Sequence, residues 1–195
     1  MLIQKYFPFL VINVEKFCKD KELEACALRL EFLSFKVGII TVYRSTNGNF
    51  QCFIKGLDYI INKIYKLCVQ LIICGDININ YLIESKEKQE INNIINSYNL
   101  VIVINFPTRI KNNSRSAIDN IFLDTTQFGM YTTCSVVNGL LDHDVQMLEL
   151  HVVNLNSNRN DYKTITIRKI YFNTINEFKE KLSSELWQNV FEKRQ

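Results

Sequence analysis

The feature that most narrows the possible folds is the apolar run Val69–Cys74, broken only by Gln70 and ending abruptly at Gly75-Asp76. A run that short, bounded by a turn signal, suits a strand covered on both faces better than a helix. Such a strand needs a sheet around it and a layer on each side. The flanking sequence supplies candidates. Upstream, from Phe50 to Leu67, residues Phe53, Leu57, Ile60, Ile61 and Ile64 recur at helical spacing. Downstream, from Lys86 to Tyr98, residues Ile91, Ile94, Ile95 and Tyr98 share one helical face, with Ser85 placed as a cap.

Around this centre the remaining strands read directly. Glu22 to Phe32 alternates apolar and polar residues, and Phe35 to Tyr43 is β-branched and apolar, ending in the turn Arg44-Ser45-Thr46-Asn47-Gly48. The two predict an antiparallel hairpin. Leu100 to Ile104 predicts another buried strand, and Ala117 to Leu123, Tyr131 to Val137 and Val145 to Val153 complete the set. Strands alternate with helices in the middle and follow one another at both ends, so the expected class is α/β (α+β) with a mixed sheet or sheets. With only two prolines and six glycines, most of the chain should lie in regular elements.

Asn154 to Asp161 is the one convincing boundary, giving a domain over 1–153 and a second segment over 154–195. In that segment Thr174-Ile175-Asn176-Glu177 has the spacing of a capping box, opening a helix striped by Ile175, Phe178, Leu182 and Leu186.

Composition excludes several classes. At 47% hydrophobic and 22% charged, the 195-residue chain is globular rather than disordered. The net charge of +3 is compatible with a nucleic-acid substrate without arguing for one. No CxxC pair occurs among the six cysteines and there are only two histidines, which argues against a zinc cluster. Cys26, Cys68 and Cys74 lie in apolar runs and read as buried free thiols, in a reducing and therefore intracellular compartment, nuclear or cytoplasmic. The apolar opening is broken by Lys5 and Pro8, and no run approaches the roughly 18–20 residues that cross a bilayer, so no membrane partner is expected.

Chemistry concentrates in three acidic turns. In Cys74-Gly75-Asp76-Ile77-Asn78 a glycine lets the chain turn at a strand end, so that Asp76 and Asn78 project together. A carboxylate with an amide can activate water and bind a phosphate oxygen; equally, the pair can stabilise its own loop. Asp119 interrupts the apolar stretch Ala117 to Leu123, where a carboxylate needs a partner unless it faces solvent. In Asp142-His143-Asp144 a histidine between carboxylates can move protons near neutral pH, and a neighbouring carboxylate can take a hard cation; an exposed acidic turn is the plainer alternative.

Order and spacing add what no single motif carries. GDxN, then Ser-x-Ile-Asp-x-Ile, then Asp-His shortly before a last strand resembles the pattern of the endonuclease–exonuclease–phosphatase superfamily. From about Leu10 to Val153, through Tyr43-Arg44-Ser45, CGDININ, NFPTRI, SAIDNIF and GLLDHD, the chain resembles the endonuclease domain of insect-type non-LTR retrotransposons. The resemblance implies a DNase-like layered α/β sandwich, two packed mixed sheets flanked by helices. It implies single-strand cleavage of DNA with Mg²⁺ or Mn²⁺ and no small-molecule cofactor. On this likeness Asp76 handles the attacking water or leaving group and Asn78 binds the scissile phosphate. His143, oriented by Asp119, contacts that phosphate or acts as base, and Asp142 helps hold the metal. Tyr43 matches a tyrosine near the phosphate, with Thr108 and Ser116 lining the site. Two departures stand out: Leu141 replaces the family's serine, and the chain begins after the strand and glutamate expected at the family's amino terminus. The fold is thus expected to be incomplete at the N-terminus and the isolated chain weak or inactive, or else a dead remnant that at most binds nucleic acid. The tail after Asn154 resembles the connector to a reverse transcriptase in a parent polyprotein.

Overall fold

Lys36–Tyr43 (β3) and Gln70–Asp76 (β4) lie side by side as parallel strands, from Val37 opposite Gln70 to Tyr43 opposite Asp76. Parallel neighbours need a crossover, which the helix Phe50–Tyr65 (α1) provides. The side chain of Asn49 caps α1, accepting the Cys52 N–H at 3.1 Å. The computed structural model describes residues 8–32, 35–67, 70–112, 114–136, 142–151 and 172–184.

Glu24–Glu31 (β2) pairs antiparallel with β3, and Phe9–Ile12 (β1) with β2. On the other side Asp119–Leu123 (β8) pairs antiparallel with β4, and Val101–Ile102 (β5) attaches to β8. The result is a six-stranded mixed sheet in the order β1-β2-β3-β4-β8-β5. Period-two alternation sorts its side chains into two cores. Ala27, Ile40, Val42, Leu71, Ile73 and Phe122 pack with α1 and with Ile91 and Ile95 of Lys86–Ser97 (α2). On the opposite face Val37, Ile72, Ile121 and Leu123 pack with Val103, Ile104 and Phe128. Tyr131 of Met130–Val136 (β9), with Leu148 and Leu150 of Val145–His151 (β10), covers that face as an antiparallel hairpin. Two packed sheets with helices outside one of them give the expected DNase-like class; the second sheet, among the described residues, is this antiparallel pair.

Several expectations need correction. Leu100 to Ile104 is not a continuous strand: only Val101–Ile102 pairs, at the sheet edge, and Val101 is exposed. After Val103 donates to the Ile121 carbonyl the chain leaves the ladder toward Pro107, which has no N–H to continue it. Ala117 to Leu123 is split. Arg109–Lys111 (β6) and Ser114–Ser116 (β7) form a separate two-stranded ribbon, and the long strand begins only at Asp119. The carbonyls of Ala117 and Ile118 instead receive the N–H groups of Tyr81 and Ile77 from the loop after β4. Cys26 shares a face of β2 with Leu28 and Leu30 yet is exposed, and Cys74 is half-buried. Cys68, Leu141 and the Asn154 to Asp161 boundary lie outside the described residues.

The chain divides into two compact units, 1–155 and 156–195. In the second, the helix Phe172–Ser184 (α4; the short helix Thr125–Phe128 is α3) begins before Thr174, which therefore sits inside its first turn rather than at its cap. Among the described residues no helix is long and apolar enough to cross a membrane.

Candidate active site

Three neighbouring strands end at one rim. Ile72 and Cys74 on β4, and Ile121 and Leu123 on β8, face the hairpin side, so alternation sends Asp76 and Asp119 to that side too. The register sets Asp76 beside Asp119 on β8 and beside Tyr43 on β3. His143 arrives just before β10, held by an isolated bridge to Arg109. Ligand atoms of Asp76, Asp119 and His143 then lie within 4.8 Å of one another.

The group is built on Thr108. Its hydroxyl donates to Asp119 Oδ2 at 2.9 Å and accepts the N–H groups of Ile118 and Asp119, each at 3.1 Å. The Thr108 N–H donates to the Ser116 carbonyl, and its own carbonyl receives the Asp144 N–H. Thr108 thus ties together the ribbon, the start of β8 and the loop that carries His143. The residue is fully buried, so it acts through Asp119 and is not part of the site lining.

Asp119 Oδ2 also lies 2.9 Å from His143 Nδ1. With Asp119 ionised, this contact places the ring proton on Nδ1 and the lone pair on Nε2. Asp76 is in a different position. Burial pushes its carboxyl above the usual carboxylate range and the charge of Asp119 adds to the rise; the Asn78 N–H, donated to Asp76 Oδ1 at 2.9 Å, works against it.

Two backbone positions shape the turn. Gly75 has φ +142, and a Cβ there would stand 1.9 Å from the Val42 carbonyl oxygen, so no other residue fits. Asn78 is left-handed at φ 51, a region asparagine tolerates, and its amide donates to the Arg44 carbonyl at 2.7 Å.

Asp142 has a partner that the sequence does not announce. Its Oδ2 meets Arg109 Nε at 2.8 Å, and that hydrogen bond holds the carboxyl below the usual range. The carboxylate is turned to the ribbon and stands outside the three-residue group. Ser116 lies opposite Arg109 in the ribbon and lines a shallow cavity of about 420 Å³ with Arg109, Lys111, Asn112 and Ser114. Tyr43 is exposed next to Asp76. The sequence pattern singles out neither Arg109, which occurs only inside the NFPTRI motif, nor Arg44, which reads as part of a turn. No local pattern marks either arginine's partner.

Two carboxylates brought together, one raised in part by the other's charge, with an imidazole beside them, make a donor set that fits a hard divalent cation such as Mg²⁺ or Mn²⁺. One oxygen of Asp119 is already engaged by Thr108 and His143.

Residues 37–147, more than half of the chain, match the family described as endonuclease-reverse transcriptase. Among solved structures the fold is similar to the endonuclease domain of TRAS1, a telomere-specific non-LTR retrotransposon. The TM-score is 0.64 at 10% identity, over 78% of this chain and 73% of that one. It is also similar to the 3′ phosphatase NExo from Neisseria, solved bound to a product DNA hairpin, with a TM-score of 0.51 at 14% identity over 65% of each chain. No curated protein matches. At these identities the structural likeness concerns the fold.

Proposed function

Because the chain belongs to the endonuclease–reverse transcriptase family, we propose that the rim of Asp76, Asp119 and His143 nicks DNA by hydrolysing a phosphodiester bond. The observation that carries this reading is the meeting of those three side chains within 4.8 Å, from positions far apart in the chain. Asp119 fixes the imidazole, so His143 Nε2 can take a proton from water or receive a phosphate oxygen once protonated. Asp76, whose raised carboxyl is reluctant to carry its charge, can pass a proton to the leaving oxygen while protonated, or, once ionised, hold the attacking water or a cation. Asn78 has a second amide hydrogen for the phosphate, and Tyr43 and Ser116 border the space where the backbone would run. A divalent cation held by the carboxylates of Asp76 and Asp119 would offset charge growing on the phosphoryl oxygens. Asp142, paired with Arg109, steadies the loop that presents His143. A reverse transcriptase in a parent polyprotein and an intracellular setting complete the proposal, in keeping with the free thiols at Cys18, Cys26, Cys52, Cys74 and Cys134.

A second reading, a domain that binds nucleic acid without cutting it, is favoured by one observation. Thr108 and His143 share one oxygen of Asp119 and Arg109 takes one of Asp142, which leaves a cation a single oxygen from each.

The test is nicking of supercoiled plasmid by the full chain with Mg²⁺ or Mn²⁺, against chelator, and against Asp76→Asn and His143→Ala. Loss of at least about 100-fold in both variants is expected. Undiminished nicking by His143→Ala would sink the assignment. DNA binding that weakens with salt, without cleavage, would favour the second reading.

A further inference from the structure

Arg44 carries a charge into the interior: only 4% of it is exposed, on the helix side of the sheet, opposite to the face that presents Asp76. Alternation explains the side, since Ile40 and Val42 precede it on that face. Its guanidinium lies against the rings of Phe50 and Phe53, with centroids at 5.5 and 5.7 Å. It spends its donors on the turn that follows β4: Nε donates to the Ile77 carbonyl at 2.8 Å and Nη2 to the Asn78 carbonyl at 3.1 Å. Backbone groups complete the link. The Arg44 N–H donates to the Asp76 carbonyl, and the Arg44 carbonyl receives the Asn78 side-chain amide. Glu87, in the first turn of α2, stands 3.4 Å from Nη2 and supplies the counter-charge.

We propose that Arg44 is a positioning residue for the site, a clamp whose planar fork holds the Ile77 and Asn78 carbonyls and so fixes the turn that presents Asp76 and Asn78. This rests on the nicking reading above. The two carbonyls point where no strand continues, and a buried carbonyl needs a donor. Only arginine offers two donors in one rigid plane at this depth; lysine offers a point charge on a flexible stem. With its charge turned away from the rim and almost wholly buried, Arg44 is not placed to touch DNA. It acts through the left-handed Asn78, whose N–H in turn bonds Asp76 Oδ1.

The experiment compares the full chain with Arg44→Gln and Arg44→Lys, alone and combined with Asn78→Ala. Plasmid nicking and ¹⁵N NMR of the Asn78 backbone and side-chain amides are the readouts. A displaced reacting group costs on the order of 100-fold in turnover. A fall of that size in kcat is expected for Arg44→Gln, with KM and the salt dependence of DNA binding unchanged. Arg44→Lys, which keeps the buried charge and serves where the glutamine variant unfolds, should recover part of it. In the Asn78→Ala background the arginine substitutions should add little, because both act through the same turn. The Asn78 amide resonances should move in each arginine variant. A shallower salt dependence would mark Arg44 as a phosphate contact and overturn the clamp, as would full additivity with Asn78→Ala or unmoved Asn78 resonances. If the unsubstituted chain does not nick DNA, the nicking reading falls, while the Asn78 resonances still decide the clamp.

Discussion

Asp76 and Asp119 stand directly opposite each other as cross-strand partners on β4 and β8, two carboxylates at adjoining strand ends. The arrangement is unfavourable for the fold on its own, since Asp76 is pushed up by burial and further by the charge of Asp119.

That opposition has a measurable cost. A carboxyl whose folded value is raised favours folding while it is protonated, and this contribution is lost as pH rises through the raised value. Asp76→Asn is uncharged and keeps an oxygen for the Asn78 N–H. It should melt at a higher temperature than the unsubstituted chain at mildly alkaline pH and at the same temperature in acid. Solvent reaching the half-buried carboxylate limits the gain to about 1 kcal/mol, or roughly 2–4 °C in a chain of this size. Thermal melts across pH, alongside a nicking assay in which the variant is inactive, check it.

Thr108→Val should destabilise the fold through polar groups rather than through volume. Valine keeps the shape, but Asp119 Oδ2 loses a donor and the Ile118 and Asp119 N–H groups lose their acceptor. The loss should be about 1–3 kcal/mol by urea unfolding. Thr108→Ser, which retains the hydroxyl, should lose less; equal losses in the two variants would show that the hydroxyl carries nothing.

Gly75 and Gly129 both have positive φ, yet only one is crowded. A Cβ at Gly75 meets the Val42 carbonyl oxygen at 1.9 Å, whereas nothing lies within 4 Å of one at Gly129. Gly75→Ala should therefore cost on the order of 3 kcal/mol or more, and Gly129→Ala about 1 kcal/mol from backbone strain alone. Denaturant midpoints of the two variants give the comparison directly.

The Arg109 hydrogen bond holds the Asp142 carboxyl low. A depressed carboxyl stabilises the fold above its unfolded value, and the benefit is lost as pH falls through the folded one. Arg109→Met should bring the Asp142 titration, followed by carboxyl NMR, back toward the usual aspartate range. The acid limb of the unfolding curve should flatten with it. An Asp142 titration left in place by the substitution would show that the pairing does not persist in solution.

Much of this arrangement is legible in the sequence, and for a physical reason. Helical spacing in α1 and period-two alternation in β3 and β4 are local signals of burial, and those elements form where they were expected. The acidic turns were legible too, because a carboxylate at the end of an apolar run is conspicuous. Contacts between distant polar groups were not. Arg44 looked like one residue of a turn, and its burial depends on carbonyls more than thirty positions away. Likewise nothing near Asp142 in the chain announces that its carboxylate pairs with Arg109. The strand expected over Leu100 to Ile104 shrank to β5 for a similar cause: how far a strand extends depends on the neighbour it finds, here β8 from later in the chain.

That late neighbour bears on how the protein is made. β4 and β5 flank α2 in the chain, yet β8 is inserted between them in the sheet. During translation the outer edge of β4 therefore stays open until residue 123 has left the ribosome, and the imidazole joins only with residue 143. A nascent or prematurely terminated chain would carry the carboxylate of Asp76 with an exposed strand beside it, ready to pair with another copy before its own partner exists.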